Sequence, residues 1–279
     1  MRARVKVTEK YCKTALSRTR VASYDYTINP YTGCQNACVY CYANFMRRFS
    51  GHLSDPWGSF VDAKVNLPEV LGKELVNAAG GRIWLSSVCD PYQPLEGKYR
   101  LTRRALELVS RYEKFRISIL TKSRHVLRDL DLLEPVKERV DVGFTITTFN
   151  PQAQLIFEPY ASTVGDRIEA LTKLNQAGIN TWVFIAPILP YATEEELEHG
   201  LRRLAEAGVK RLITDRYNAR GMIIRRTVQA YRLWKPDIKL EKLRSLLWGR
   251  DDYYREVDRR IALVWKQLAA HSHYAAVWQ

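Results

Sequence analysis

The strongest constraint on the fold is an alternation of short β-rich runs with longer amphipathic patterns between about residues 82 and 216. Strands are predicted from about residues 83, 115, 140, 181 and 210, so that successive starts differ by 32, 25, 41 and 29 residues, the length of a βα unit. An earlier strand is predicted over residues 24–29, with a helix over 68–79. Six such units predict an α/β fold with a parallel sheet, a partial (β/α)6 barrel of the TIM type.

Helical patterns fill the intervals between these strands. Helices are predicted over residues 166–177 and 193–207, which stop at Gly178 and Gly208. Two further helices are predicted from apolar faces, one formed by Leu101, Ala105, Leu108 and Val109 and the other by Val126, Leu130 and Leu133. After about residue 222 only helical patterns are predicted. We therefore expect a barrel with an amino-terminal lead-in over residues 1–221 and a carboxy-terminal helical extension over residues 222–279.

Three cysteines in eight residues carry the clearest chemical signal. Cys34, Cys38 and Cys41 form a C-x3-C-x2-C run after the first predicted strand, and the chain has five cysteines in all. An odd number concentrated in one cluster is atypical of a disulfide framework and favours a soft metal centre. An iron–sulfur cube held by three thiolates has one iron open to a small molecule. Zinc with a histidine ligand, of which His52 is nearest in sequence, and three buried thiols are the alternatives.

Residues 29–42, NPYTGCQNACVYCY, resemble the cluster-binding motif of radical S-adenosylmethionine (SAM) enzymes. The surrounding sequence resembles the spore photoproduct lyase-like branch of that superfamily over about residues 14–215. Three stretches support this branch: SVCDPYQPLE at 87–96, TKS at 121–123, and LIFEP at 155–159 with Arg167 beyond.

The resemblance implies a 4Fe-4S cluster on the three cysteines, whose open iron binds the amino and carboxylate groups of SAM. Reductive cleavage of SAM then yields a 5′-deoxyadenosyl radical that abstracts hydrogen from the substrate. An electron donor such as a ferredoxin or flavodoxin is implied as a partner. The lyase-like branch further implies DNA photoproduct repair as the most concrete activity.

The same resemblance assigns cofactor-binding roles near the carboxyl ends of the strands. Ser87 and Asp90 are expected to meet the methionyl amine of SAM, and Lys122 its carboxylate. Thr145 and Thr147 alternate along the fourth strand of the main series, so either could bond the ribose hydroxyls. The alternatives are a solvated loop lysine, a turn aspartate and ordinary strand threonines.

Four other residues receive expectations from the motif stretches. Tyr40, between two cluster cysteines, is expected to lie against the adenine of SAM. Cys89 is a candidate catalytic hydrogen-atom donor, because spore photoproduct lyases use a cysteine for that step; packing is the alternative role. Glu158 and Arg167 are expected to form an ion pair that closes the site.

The charge of the chain favours a polyanionic partner. Forty-four Lys and Arg against 30 Asp and Glu give a formal net charge of +14, and clustered basic groups gain free energy from neutralising phosphates. Basic and aromatic residues are interspersed at 44–49 and through the carboxy-terminal region, a combination suited to DNA or RNA. A basic surface without a nucleic-acid role is the alternative.

Targeting signals are not predicted. The amino-terminal MRARVK lacks a following apolar core, and the longest apolar stretch falls short of a bilayer span, so we expect a cytoplasmic protein without membrane contact. Two other functions stay open: radical SAM modification of tRNA, a peptide or a small metabolite, and a non-catalytic iron–sulfur or zinc module that binds nucleic acid.

Overall fold

A computed structural model describes residues 5–249, 251–270 and 277–278 of the chain. The chain forms two compact units. The first comprises the described residues up to 37, 43–143 and 176–180, and the second comprises residues 38–42, 144–175 and the described residues from 181 onward.

The first unit combines a small three-stranded sheet with the first strands of the βα series. Its strands are β1 (Lys6–Lys10), β2 (Ser17–Arg18), β3 (Tyr26–Ile28), β4 (Tyr31–Thr32), β5 (Phe60–Lys64), β6 (Gly81–Leu85), β7 (Phe115–Thr121) and the beginning of β8 (Val140–Thr145). Its helices are α1 (Arg47–Ser50), α2 (Leu67–Asn77), α3 (Glu96–Tyr99), α4 (Leu101–Val109) and α5 (Leu130–Leu133).

Strand pairing in this unit is largely parallel. The strand order is β2-β3-β6-β7-β8, in which β3 pairs parallel with β6, and β6 with β7. The small sheet has the order β1-β5-β4, with β1 parallel and β4 antiparallel to β5. Helices α2 and α4 pack together through apolar faces that include the fully buried Leu71 and Leu75.

The second unit continues the series and contains the carboxy-terminal helices. Its elements are the end of β8, α6 (Pro151–Phe157), α7 (Val164–Gln176), β9 (Asn180–Ile188), α8 (Leu197–Glu206), β10 (Arg211–Arg216), α9 (Gly221–Trp234), α10 (Leu240–Leu247), α11 (Asp251–Ala270) and β11 (Val277–Trp278). The strand order is β8-β9-β10-β11, and the pairs β9–β10 and β10–β11 are parallel. Helix α11 packs on α8, and α9 packs on α6 and α10.

All six predicted strands of the βα series are confirmed, as β3, β6, β7, β8, β9 and β10. The buried runs that predict them, such as Ile117 and Ile119 in β7, are apolar because the strands of a parallel sheet are covered on both faces. The predicted helices over 68–79 and 166–177 are confirmed as α2 and α7, each displaced by one or two residues.

Three expectations need correction. The helix predicted over 193–207 begins only at Leu197, because Glu196 before it adopts a left-handed conformation with φ of 58°. The helix around Val126 is a 3-10 turn over residues 124–129 followed by the four-residue α5. In α4, Leu101, Ala105 and Val109 of the predicted face are buried, whereas Leu108 is half-buried and Leu106, which that face did not include, is buried.

Two strand features were not predicted. The sheet β1-β5-β4 was missed because β1, KVTEK, lies with four of its five residues exposed and so lacks an apolar face. The carboxy-terminal region is not wholly helical, since β11 pairs with β10. The division into residues 1–221 and 222–279 stays a prediction; α9 begins at Gly221.

Within the described part of the chain, no helix has the length and apolar character needed to cross a membrane.

Candidate active site

The cysteine loop comprises residues 33–41 and begins at a position that only glycine can occupy. Gly33 has a φ of +88°, and a Cβ there would lie 2.4 Å from the carbonyl oxygen of Phe60. Cys34 follows, buried, and its carbonyl oxygen accepts a hydrogen bond from the Ala37 amide at 3.3 Å. The close approach of Gly33 to β5 therefore fixes where the loop leaves the small sheet.

Two glutamines fasten this part of the loop to the segment after β6. The Gln93 side chain accepts from the Gln35 amide at 2.9 Å and donates to the Gly33 carbonyl at 3.3 Å. In return, the Gln35 side chain accepts from the Leu95 amide at 2.6 Å. Both glutamines are buried, and buried hydrogen bonds of this kind hold a non-repetitive loop in one conformation.

Asp90 is the centre of a second buried network in the first unit. One carboxylate oxygen accepts from the Tyr92 amide at 2.9 Å and from the Thr121 hydroxyl at 2.6 Å. The other accepts from the Asn36 side-chain amide at 2.9 Å and from the Lys122 backbone amide at 2.8 Å. A carboxylate offers about four acceptor positions, so Asp90 uses its capacity to join the cysteine loop to the end of β7.

Ser87 lies in a third group of polar side chains at the end of β6. Its hydroxyl is 3.2 Å from both the Thr27 hydroxyl and the Asn29 side-chain amide. The residue before it, Ser86, is buried with a φ of 69°. A left-handed non-glycine residue costs free energy, and such residues are concentrated at functional sites. The strand end that carries Ser87 is therefore held in an unusual conformation by its neighbours.

Cys38 and Cys41 belong to the second unit and form a tight turn. The Cys41 amide donates to the Cys38 carbonyl at 3.2 Å, and the Val39 amide donates to the Phe157 carbonyl at 3.0 Å. Cys38 is buried and Cys41 is half-buried. The hydrogen bond from Val39 attaches this turn to the last residue of α6.

Tyr40, between these cysteines, is held at its hydroxyl end. It donates to the Glu158 carboxylate, and the Thr147 hydroxyl lies 2.9 Å from the Tyr40 oxygen and 3.0 Å from the same carboxylate oxygen. Burial and the negative charge of Glu158 raise the pKa of Tyr40 well above its ordinary value. The phenol is therefore neutral at physiological pH and acts as a hydrogen-bond donor.

Glu158 and Arg167 form the expected ion pair, and both side chains are fully buried. The Arg167 guanidinium also donates to the Thr145 carbonyl at 2.8 Å and to the Ser162 carbonyl at 2.9 Å. The pair thus ties α7 to the end of β8 and, through Tyr40, to the turn between Cys38 and Cys41.

Cys89 lies against an apolar cluster formed by Tyr31, Val61, Ala63, Leu95 and Leu101. Its sulfur is 3.6 Å from the Ser86 hydroxyl. Burial raises the pKa of the Cys89 thiol to about 11, so it stays protonated at neutral pH. These surroundings are those of a packed thiol; its role as a hydrogen-atom donor stays a prediction.

The cysteine loop has the donor atoms that an iron–sulfur cluster requires. It offers three thiols within eight residues, and thiolates are the ligands of such clusters. Across residues 5–249, 251–270 and 277–278, no three His, Cys, Asp or Glu side chains are grouped as a ready metal site. The fit of the loop to a cluster therefore rests on the chemistry and spacing of its donors.

Most of the chain matches the model of one protein family. Residues 28–204 match the model of the Radical SAM superfamily, a span that includes the cysteine loop and, apart from Thr27, the residues of the polar networks described above. The chain therefore belongs to the Radical SAM superfamily, and its family resemblance is confirmed.

Relatives and solved structures agree with this assignment. The chain is 37% identical over 190 residues to an uncharacterized protein of Methanocaldococcus jannaschii, covering 68% of this chain and 70% of that protein. It is similar in fold to a spore photoproduct lyase variant with dinucleoside spore photoproduct, with a TM-score of 0.72, 18% identity and coverage of 98% and 82% of the two chains. A second variant, with bound AdoMet and the same photoproduct, gives a TM-score of 0.70 at 20% identity, with coverage of 98% and 81%.

These likenesses confirm the predicted fold class, the partial TIM-type α/β fold of radical SAM enzymes. Sequence reasoning missed the supporting side chains Asn36, Gln35 and Gln93 and the role of Thr147 as a partner of Tyr40. The signal for the first two was present, because Gln35 and Asn36 lie between Cys34 and Cys38, where side-chain amides are suited to fastening the loop.

Proposed function

We propose that this protein is a radical SAM enzyme that abstracts hydrogen from a base of a nucleic acid, with reversal of a DNA photoproduct as the specific reaction. A 4Fe-4S cluster held by Cys34, Cys38 and Cys41 would supply, with SAM, the 5′-deoxyadenosyl radical. The observation that carries the proposal is the cysteine loop, fastened by Gln35, Gln93 and Asn36 inside the span that matches the superfamily.

The polar networks indicate how each side chain would contribute to SAM binding. Because Asp90 already accepts four hydrogen bonds, we assign it the task of holding Asn36 and the Lys122 backbone in place, while Lys122 meets the SAM carboxylate. Ser87 is assigned to the methionyl amine. The Ser87 hydroxyl is hydrogen-bonded to Thr27 and Asn29, and it can give up one of these bonds to form one with a ligand.

Tyr40 and one strand threonine are the proposed contacts to the nucleoside part of SAM. The Tyr40 ring would lie against the adenine, since its hydroxyl is fixed by Glu158 and Thr147. Thr147 is engaged in that network and donates toward the Ala186 carbonyl at 3.1 Å. We therefore assign the ribose contact to Thr145 in preference to Thr147.

Two observations support a nucleic-acid substrate. The net charge of +14 favours a polyanion, and the chain shares its fold with a lyase that was solved with a dinucleoside photoproduct. A damaged base is cheaper to extrude from a duplex than an intact one. A reduced ferredoxin or flavodoxin is the proposed electron donor.

The experiment is anaerobic reconstitution with iron and sulfide, followed by reduction with SAM and ultraviolet-irradiated DNA. We expect spore photoproduct to disappear in step with the appearance of restored thymine. Unirradiated DNA and unmodified tRNA are the controls. Cofactor cleavage with no change in irradiated DNA, together with a modified base in the tRNA arm, would reject the photoproduct reaction and retain a nucleic-acid substrate. No change in either nucleic acid would reject the substrate class.

A further inference from the structure

The second unit contains an open cavity of about 540 Å³ that the site described above does not use. It lies between α9 and the end of α10, and both helices contribute to its walls. Its floor is apolar, formed by the buried Ile224 and Val228. The volume falls within the range typical of ligand sites, roughly 300–1,000 Å³.

The rim of this cavity is strongly basic. Arg225 and Arg232 lie seven residues apart on one face of α9, about 10 Å along the helix axis. Arg244 of α10 faces the same cavity, and all three arginines are exposed. Among the described residues, no Asp or Glu forms an ion pair with any of the three. The guanidinium groups are therefore available to an anion, and their planar donor geometry matches phosphate.

One aromatic side chain completes the rim. Trp248 follows α10, where its amide donates to the Arg244 carbonyl at 2.9 Å, and 67% of its surface is exposed. An indole exposed beside an apolar floor and a basic rim is typical of an interaction site. A flat ring next to phosphate-binding arginines suits a nucleotide base, which can stack on it in any sequence.

We infer that this cavity, the α9–α10 groove, binds single-stranded nucleic acid. Phosphates lie on Arg225, Arg232 and Arg244, and a base stacks on Trp248. The inference rests on the proposed function for the class of substrate and deepens it, by naming a surface that holds part of the substrate strand. An anionic protein partner could pair with the arginines but would bring no nucleotide base to stack on the exposed indole of Trp248, so it fits the cavity less well.

The test measures binding of a fluorescein-labelled single-stranded oligonucleotide to the reconstituted protein as salt is raised. Three phosphate contacts to a single strand contribute a slope of about −2 in log K against log salt, a loss of about 20-fold between 50 and 200 mM. The groove variant is Arg225→Gln, Arg232→Gln and Arg244→Gln together. Its slope is expected to be shallower by about 2 than that of the native protein.

A matched control removes the same charge elsewhere. Arg202, Arg255 and Arg259 are exposed arginines of α8 and α11, and replacing all three by Gln leaves the net charge equal to that of the groove variant. This control is expected to keep most of the affinity. Equal losses in both triple variants would overturn the inference, since only net charge would then matter.

Trp248 separates base stacking from charge. Trp248→Ala is expected to weaken oligonucleotide binding by about 5- to 150-fold, to leave heparin binding unchanged, and to be rescued by Trp248→Phe. Unchanged oligonucleotide binding in Trp248→Ala would overturn the stacking role. All groove residues tested are exposed, and thermal unfolding verifies that each variant is folded.

The outcomes also distinguish this inference from the proposed function. The native protein could modify no nucleic acid while the groove variant still loses oligonucleotide binding. That result would support binding by the groove and reject the proposed substrate. Photoproduct reversal with native binding in the groove variant would retain the substrate and reject the groove.

Discussion

Asp90 has a motif role, contact with SAM, that stays a prediction, and a set of hydrogen-bond partners that the motif does not give. Its position in the SVCDPYQPLE stretch predicts contact with SAM, yet its carboxylate accepts hydrogen bonds from Tyr92, Thr121, Asn36 and Lys122. A sequence gives the residue type and its place near a strand end. It does not give the number of backbone and side-chain donors that the fold directs at it.

Replacing this carboxylate tests its positioning role. In Asp90→Asn an amide group replaces one acceptor oxygen, so a buried donor loses its partner, at a cost of about 1–3 kcal/mol. We expect lower iron loading after reconstitution and weaker SAM binding. Asp131→Asn, which affects an exposed ion pair with Arg103, is the control and should leave iron loading and SAM binding at their native levels. Native iron loading in Asp90→Asn would contradict the role.

Cys89 is a second residue whose role depends on its protonation state. Burial raises its pKa to about 11, whereas a cysteine in an unfolded chain has a pKa of about 8.5. A raised thiol pKa stabilises the folded state below the unfolded pKa, and this contribution is lost as pH rises toward 11. The protonated thiol is also the form that a hydrogen-atom donor requires.

The prediction for Cys89 has a chemical and a catalytic readout. Iodoacetamide should label it slowly in the folded protein at pH 8 and rapidly after denaturation, as followed by mass spectrometry. Cys89→Ala should leave SAM cleavage intact and alter the distribution of products if the thiol donates hydrogen. An unchanged product distribution would leave Cys89 with packing alone.

Among the elements, the loop that enters the cysteine motif depends on one glycine. Gly33→Ala combines a positive φ with a Cβ placed 2.4 Å from the Phe60 carbonyl. Gly51 has a similar φ of +79° but no atom within 4 Å of the added Cβ, so Gly51→Ala isolates the conformational cost, about 1–2 kcal/mol.

We expect Gly33→Ala to lower the free energy of unfolding by more than that cost and to reduce cluster loading. Gly51→Ala should bind iron normally. Chemical denaturation and iron analysis measure the two effects. Equal stability losses in both variants would show that the contact with Phe60 is unimportant.

Helix α7 is anchored by a buried charge. Arg167→Met leaves the buried Glu158 without its cation, and breaking such a pair costs about 3–5 kcal/mol. The control lies on the same helix: Lys173 forms an exposed ion pair with Glu169 at 2.6 Å, so Lys173→Met should cost about 1 kcal/mol or less. Urea unfolding of the two variants tests this difference, and similar midpoints would contradict it.

Elements of the βα series were predictable because their signal is local. Buried strands such as β7 are continuous apolar runs, and helices such as α7 end at Ala-Gly stops, so periodicity finds both. The sheet β1-β5-β4 was not predictable, because its strands are separated by long stretches of chain and β1 is mostly exposed. Pairing of β11 with β10 joins segments more than sixty residues apart, and no local pattern reports such a contact.

Across the whole molecule, the sequence predicted which residues would carry the chemistry, but not the hydrogen bonds that hold those residues in place. The cysteine run and the polar strand ends were predicted, and the Glu158–Arg167 pair was confirmed. The clamp between Gln35 and Gln93 and the link from Tyr40 to Thr147 join segments 58 and 107 residues apart, so only the folded chain reveals them.

The central claim is that this chain is a catalyst that cleaves SAM through a cluster on its three cysteines. The most direct measurement is 5′-deoxyadenosine formation by the anaerobically reconstituted, reduced protein, compared with Cys38→Ala and with Cys12→Ala as a control outside the motif. We expect 5′-deoxyadenosine from the native protein and from Cys12→Ala and none from Cys38→Ala, since loss of one thiolate leaves two protein ligands for the cluster. Native cleavage by Cys38→Ala, or no cleavage by a native protein with a fully loaded cluster, would contradict it.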